Sequence, residues 1–214
     1  MEFPMLVGVL PFGLIYGATA LRQGLTPGLA QSMSAIVFAG SAQFITSQLM
    51  HAVTPPFVIV LTIGIVNLRH MLYSASVAPF VKHLPLRWRV LLAYLLTDEA
   101  YAATIVHYES EGATPTGHWF FLGAGASLWF VWQVSTALGI FLGTTIPETW
   151  PLDFALPLTF IAMLVPTIKD RSVAAAALSA AAVALAGAAL PYKLGLMLAA
   201  LIGITVGMLV ENRE

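Results

Sequence analysis

The chain has 214 residues, of which 59% are hydrophobic and 9% charged, with a formal net charge of −1 and no cysteine. A soluble domain needs about 25% charged residues to keep its surface wetted, so this composition, with mean hydropathy +0.88, excludes a water-exposed globule and offers nucleic acid no basic face. Without cysteine there are no disulfides and no thiolate metal sites.

The first segment, residues 3–21, has no charge and is long enough to span a bilayer, which takes about 20 apolar residues. Residues 1–2 supply no basic leader, so no cleavable signal peptide is expected. Residues 22–27 form a turn in which Gly24 permits the bend and Pro27 starts the next helix. Residues 29–50 read as a second span and 51–56 as a short loop. Residues 57–81 are a third, with Asn67, Arg69 and His70 in its middle. The loop 82–89 is the most basic. Residues 90–108 read as a fourth span with Asp98 and Glu99 at its centre, and 109–117 as an acidic loop.

Residues 119–143 form a fifth, glycine-rich and aromatic span. A loop at 147–151 precedes a short apolar segment, 154–168, bounded by prolines. A charged turn at 169–171, an alanine-rich span at 172–190 and a last span at 194–210 complete the chain. These runs are continuous, unlike the short alternating stretches of a β-barrel. The expected fold is an all-α integral membrane protein. It forms a single polytopic transmembrane domain over 1–214, a bundle of about seven helices with room for broken or re-entrant segments.

Positive loops face the cytoplasm, which places 82–89 inside and 109–117 outside. Counting on, 169–171 falls outside despite Lys169 and Arg171. Either 154–168 enters and leaves on one side, or the charge rule is overridden there. Glycines four apart (Gly13 and Gly17, Gly139 and Gly143, Gly203 and Gly207) fit close helix packing in lipid.

Charge at membrane depth is costly and therefore informative. Arg69 and Tyr73 share one helical face, His70 and Ser74 another. Asp98 and Glu99 lie on the far side of the same loop, in a span expected to run antiparallel to the first. Allowing for a kink at Pro79, the two depths match, so Arg69 can meet Asp98 or Glu99. The pair is either a static tie between helices or the lining of an aqueous path; alternatively Arg69 snorkels toward an interface. In the second span, Gly40, Ser41 and Gln43 form a third polar stretch. It suits an interrupted helix of the kind that binds substrate in transporters, or simple interhelical hydrogen bonding. Trp129, Trp132 and Gln133 read as packing. His51, His107 and His118 fall at span ends. No metal spacing, P-loop, nucleophile elbow or dinucleotide fingerprint occurs, so neither a cofactor nor a metal is expected, and no enzyme.

Several runs resemble the AzlC family of branched-chain amino-acid export permeases. They are Leu10-Pro11-Phe12-Gly13-Leu14-Ile15-Tyr16-Gly17, Phe38-Ala39-Gly40-Ser41-Ala42-Gln43-Phe44, Asn67-Leu68-Arg69-His70-Met71-Leu72-Tyr73, Leu96-Thr97-Asp98-Glu99 and Leu152-Asp153-Phe154-Ala155-Leu156-Pro157. The resemblance implies the large subunit of a secondary transporter in the bacterial inner membrane. It would work with a small hydrophobic AzlD-type subunit and export leucine, isoleucine, valine or similar amino acids. The expected binding or coupling residues are Gly40, Ser41, Gln43, Asn67, Arg69, His70, Tyr73, Asp98 and Glu99. Chemically, Arg69 suits a substrate carboxylate, and Asp98 or Glu99 suits its ammonium or a coupling proton. A passive channel, or a permease for another small solute, is the alternative.

Overall fold

Lipid offers backbone N–H and C=O groups no partner, so hydrophobic runs of this kind fold as helices. A computed structural model describes residues 3–112, 114–143, 168, 170–190 and 194–211, which contain helices and turns but no strand. The helices are α1 (Phe3–Arg22), α2 (Pro27–Val37), α3 (Gly40–His51), α4 (Pro56–Val66), α5 (Leu68–Val81), α6 (Leu86–Tyr94), α7 (Asp98–Glu111), α8 (Gly117–Gly143), α9 (Arg171–Ala186) and α10 (Leu194–Glu211). Among them Pro56–Val81, Gly117–Gly143 and Leu194–Glu211 are long and apolar enough to cross a membrane, while Leu6–Arg22 and Arg171–Ala186 are apolar but shorter. The loop at 147–151, the element at 152–157 and all but the last residue of 154–168 lie outside the described residues.

The chain divides into two compact units, Met1–Ser47 with Asn67–Trp150, and Gln48–Val66 with Pro151–Glu214. In the first, α1 packs along α8 in parallel. A side chain on Gly17 would meet backbone atoms of Gly139 and Ile140 at 2.9 and 2.7 Å, and one on Gly143 would meet Ala18 Cα at 2.8 Å. The two glycine pairs thus face each other and bring the backbones together, as their spacing predicts. In the second unit α9 and α10 pair antiparallel, again through small residues. A side chain on Gly203 would meet Ala180 Cβ at 2.9 Å, and one on Gly207 would meet Ala176 Cβ at 3.1 Å. Asp170 caps α9, accepting from Val173 N at 2.8 Å and from Ser172 Oγ at 2.7 Å. Those donors hold its carboxyl below the usual range. Thr62 of α4 reaches Met197 Sδ of α10 at 3.6 Å.

Three expected spans are broken. Residues 29–50 divide into α2 and α3 at Phe38 and Ala39, with Phe38 in the left-handed region at φ 42° and ψ 45°. Pro56–Val81 divides at Asn67, which carries no side-chain cap bond to α5. Residues 90–108 divide into α6 and α7, where Thr97 Oγ1 accepts from Ala100 N at 3.3 Å.

The last break is also a reversal. At the start of α6, Trp88 lies edge-on to His118 and Trp119 at the start of α8, with ring centroids 4.8 and 4.9 Å away. Near the end of α7, His107 stacks on Phe120 of α8 at 4.0 Å. Between these ends, Leu95 lies deeper, where a side chain on Gly125 would meet its Cβ at 2.7 Å. So α6 enters, turns at Leu95 to Thr97, and α7 returns to the same end of α8. This corrects the expectation that 90–108 crosses as one helix and that 109–117 lies opposite 82–89. It also corrects the antiparallel expectation: α5 and α7 run parallel, pairing Tyr73 with Tyr101 at 4.5 Å and Phe80 with Tyr108 at 4.7 Å.

Candidate functional site at the helix breaks

Each break exposes backbone groups that a continuous helix would satisfy internally. The carbonyls at the end of α2 are met by side chains. Ala35 O accepts from the Tyr94 hydroxyl, which itself accepts from Trp129 Nε1 at 2.7 Å. Ser34 O accepts from Gln133 Nε2 at 3.1 Å, and Gln31 Nε2 donates to Gln133 Oε1 at 2.7 Å. Tyr94 is the last residue of α6, so the tip of the α6–α7 hairpin caps the broken end of α2. The Phe38 ring, buried at 6% exposure, sits 6.0 Å from that of Tyr94. Burial and the tyrosine clasp offset the roughly 1–2 kcal/mol that a left-handed conformation costs a residue with a Cβ.

Across the breaks, the first turns of α3, α5 and α7 are joined by one guanidinium. Arg69 Nη1 lies 2.6 Å from Asp98 Oδ2, and Arg69 Nη2 donates to Ser41 Oγ at 2.5 Å. Both charged side chains are partly exposed, at 30% and 25%. Asp98 and Glu99 occupy the first turn of α7, where the helix dipole favours negative charge. Arg69 takes Asp98 as its partner, which leaves Glu99 outside the pair. The Tyr73 hydroxyl approaches Asp98, and the His70 ring lies 5.9 Å from that of Tyr73.

The site is not saturated. Arg69 Nε, Asp98 Oδ1 and Asn67 Oδ1 are buried atoms without a hydrogen-bond partner among the described residues. Buried polar groups normally find partners, so three open ones around one ion pair leave capacity for water, an ion or a polar solute. No group of three potential metal ligands occurs among the described residues.

Other expected residues fall elsewhere. Ser41 and Gln43 lie two apart on a helix and point to different faces. Gln43 is fully buried beside the Tyr16 hydroxyl, which donates to Ala30 O at 3.1 Å. Gly40 belongs to that packed side too: a side chain there would strike Phe12 Cε1 at 2.9 Å and Trp132 at 3.0 Å. Gly40 therefore serves close approach, and the helix breaks one residue earlier. Tyr94 was not among the expected residues because it sits singly in an apolar run, and Trp129 and Gln133 read as packing because they belong to an aromatic stripe of α8.

A family model described as AzlC protein matches residues 4–146, the stretch that holds every residue of this site. The chain belongs to the AzlC family. It is 28% identical over 176 residues to the inner membrane protein YgaZ of Escherichia coli, covering 79% of this chain and 71% of that one. It is 32% identical over 212 residues to an uncharacterized membrane protein of Archaeoglobus fulgidus, covering 94% and 89%. With the branched-chain amino acid transport protein AzlC of Bacillus subtilis it shares 26% over 164 residues, covering 76% and 63%. No solved structure is a significant match. AzlC membership and these relatives support a membrane transport protein rather than an enzyme.

Proposed function

We propose that this chain is the large subunit of a secondary transporter that exports branched-chain amino acids across the bacterial inner membrane, where it is a multi-pass protein. One observation carries the reading: Arg69 bridges Ser41 and Asp98 at three helix starts while atoms of the same cluster stay unpartnered. Interrupted helices are where secondary transporters bind substrate, because helix starts attract anions and open backbone adds polar contacts. In this reading the substrate carboxylate exchanges onto Arg69 and the first turns of α3 and α5, and its ammonium onto Asp98. The ion pair opens as the substrate enters, so each charge changes partner rather than losing one.

Glu99, outside the pair, is assigned to proton coupling. A small AzlD-type membrane subunit completes the working complex, and the transport named for the Bacillus relative supports the choice of substrate. The test is counterflow in proteoliposomes over a panel of amino acids, with and without the small subunit. The reading predicts exchange-stimulated uptake of leucine, isoleucine and valine that needs the subunit. Flux without exchange stimulation would indicate a channel, and full activity of this chain alone would remove the subunit from the account. Glu99→Gln should keep exchange and lose uphill movement; normal accumulation against a pH gradient would exclude it as the proton carrier.

A further inference from the structure

A groove of about 340 Å³ opens between α5 and α6. Val77, Ala78 and Val81 line it from α5, Val90 and Ala93 from α6, and Phe121 from α8. These positions follow the spacing of a single helical face on both α5 and α6, so the lining is continuous and, apart from Ser74 on α5, apolar. Lys82 and Arg89 stand at one end, where the chain turns from α5 into α6. Neither makes an ion pair among the described residues, and no acidic residue occurs between Lys82 and Asp98 in the sequence. Trp88 packs against His118 and Trp119 at the same end, and clustered tryptophans mark the membrane–water boundary. The groove therefore has an apolar stem that runs into the membrane and a cationic mouth at headgroup level.

We infer that this groove binds an anionic phospholipid of the cytoplasmic leaflet, with its phosphate on Lys82 and Arg89 and an acyl chain along α5 and α6. Charge complementarity and the position of the cations at the shallow end select a lipid over a free amino acid or a peptide helix. A zwitterion would meet two cations and no acid here, and an apolar helix would leave both cations unpaired. Basic pockets between membrane helices hold lipid headgroups by this combination.

The experiment uses the full chain, purified in detergent and titrated with phosphatidylglycerol, phosphatidylcholine or inorganic phosphate under native mass spectrometry. In parallel, a phosphatidylglycerol bearing a photoreactive acyl chain maps the contact. Saturable binding of phosphatidylglycerol over phosphatidylcholine is expected, with labelling at 77–81 and 90–93. Each basic residue near an anionic surface is worth about fivefold in affinity, so Lys82→Gln with Arg89→Gln should weaken binding roughly thirtyfold. Arg87→Gln, on the same turn but outside the groove, is the control and should change it far less. Ala78→Phe fills the stem and should abolish the label. Equal retention of both lipids, or displacement by inorganic phosphate at equal concentration, would overturn the proposal. Crosslinks to a copurified membrane subunit in place of lipid would also overturn it. Should the double variant aggregate, the position of the label on the unaltered chain still decides.

Discussion

Arg69 holds two short contacts at once, to Asp98 at 2.6 Å and Ser41 at 2.5 Å, so its removal strands a carboxylate in a partly dry site. Breaking a fully buried pair from one side costs about 3–5 kcal/mol. Here the side chains are a quarter to a third exposed, which discounts the cost to roughly 1–3 kcal/mol. Arg69→Met alone should therefore lower the melting temperature and the monodisperse yield. Arg69→Met with Asp98→Asn should recover both while transport stays lost. Thermal unfolding in detergent beside amino-acid counterflow separates the two effects. Recovery of transport in the double variant would reduce the pair to a structural tie.

The meeting of arginine and acid was legible because charges inside apolar runs have few places to go. The choice of Asp98 over Glu99 was not, since adjacent residues differ only in the face that the start of α7 presents. Tyr94 was illegible for a different reason. A lone tyrosine in an apolar stretch reads as packing until the orphan carbonyl that it caps is seen.

At the scale of elements, the glycine contacts discriminate sharply. A methyl group on Gly139 would fall 2.8 Å from the carbonyl carbon of Leu14, while one on Gly8 or Gly123 meets nothing within 4 Å. Backbone cannot yield as a flexible side chain does. Gly139→Ala should therefore push α1 from α8 and cost about 1–3 kcal/mol, the usual range for overpacking. Gly8→Ala should be neutral or slightly favourable, since alanine is the better helix former. Denaturation in mixed micelles gives both values, and equal effects would show that α1 and α8 do not pack through their glycines.

The helix breaks were only partly legible. Thr97 followed by Asp98 and Glu99 is a good helix start, a capping hydroxyl before acidic residues. It loses its force when 90–108 is read as one span because of its length. The break at Phe38 and Ala39 falls just before Gly40, the residue that suggested an interruption, but Gly40 itself is helical and serves close packing. The break is imposed by tertiary contacts from α6 and α8, which supply the bonds that the backbone gives up.

For the whole molecule, the re-entrant α6–α7 hairpin changes the topology that charge alone suggested. With 82–89 and the α7–α8 turn at one end, α8 carries the chain to the other side. The sequence-based count errs at 90–108, where apolar length suggests a crossing and the chain instead turns back. The absence of cysteine makes the central claim, that the three helix starts line a substrate site, directly measurable. Single cysteines placed at Ser41 and Asn67, with one at Gly8 as a lipid-facing control, report access to a membrane-impermeant thiol reagent. The account predicts that Ser41→Cys and Asn67→Cys react from the aqueous phase and that saturating leucine slows both, while Gly8→Cys does not react. Labelling of Ser41→Cys and Asn67→Cys that leucine does not slow, or no labelling at either position in a folded protein, would contradict it.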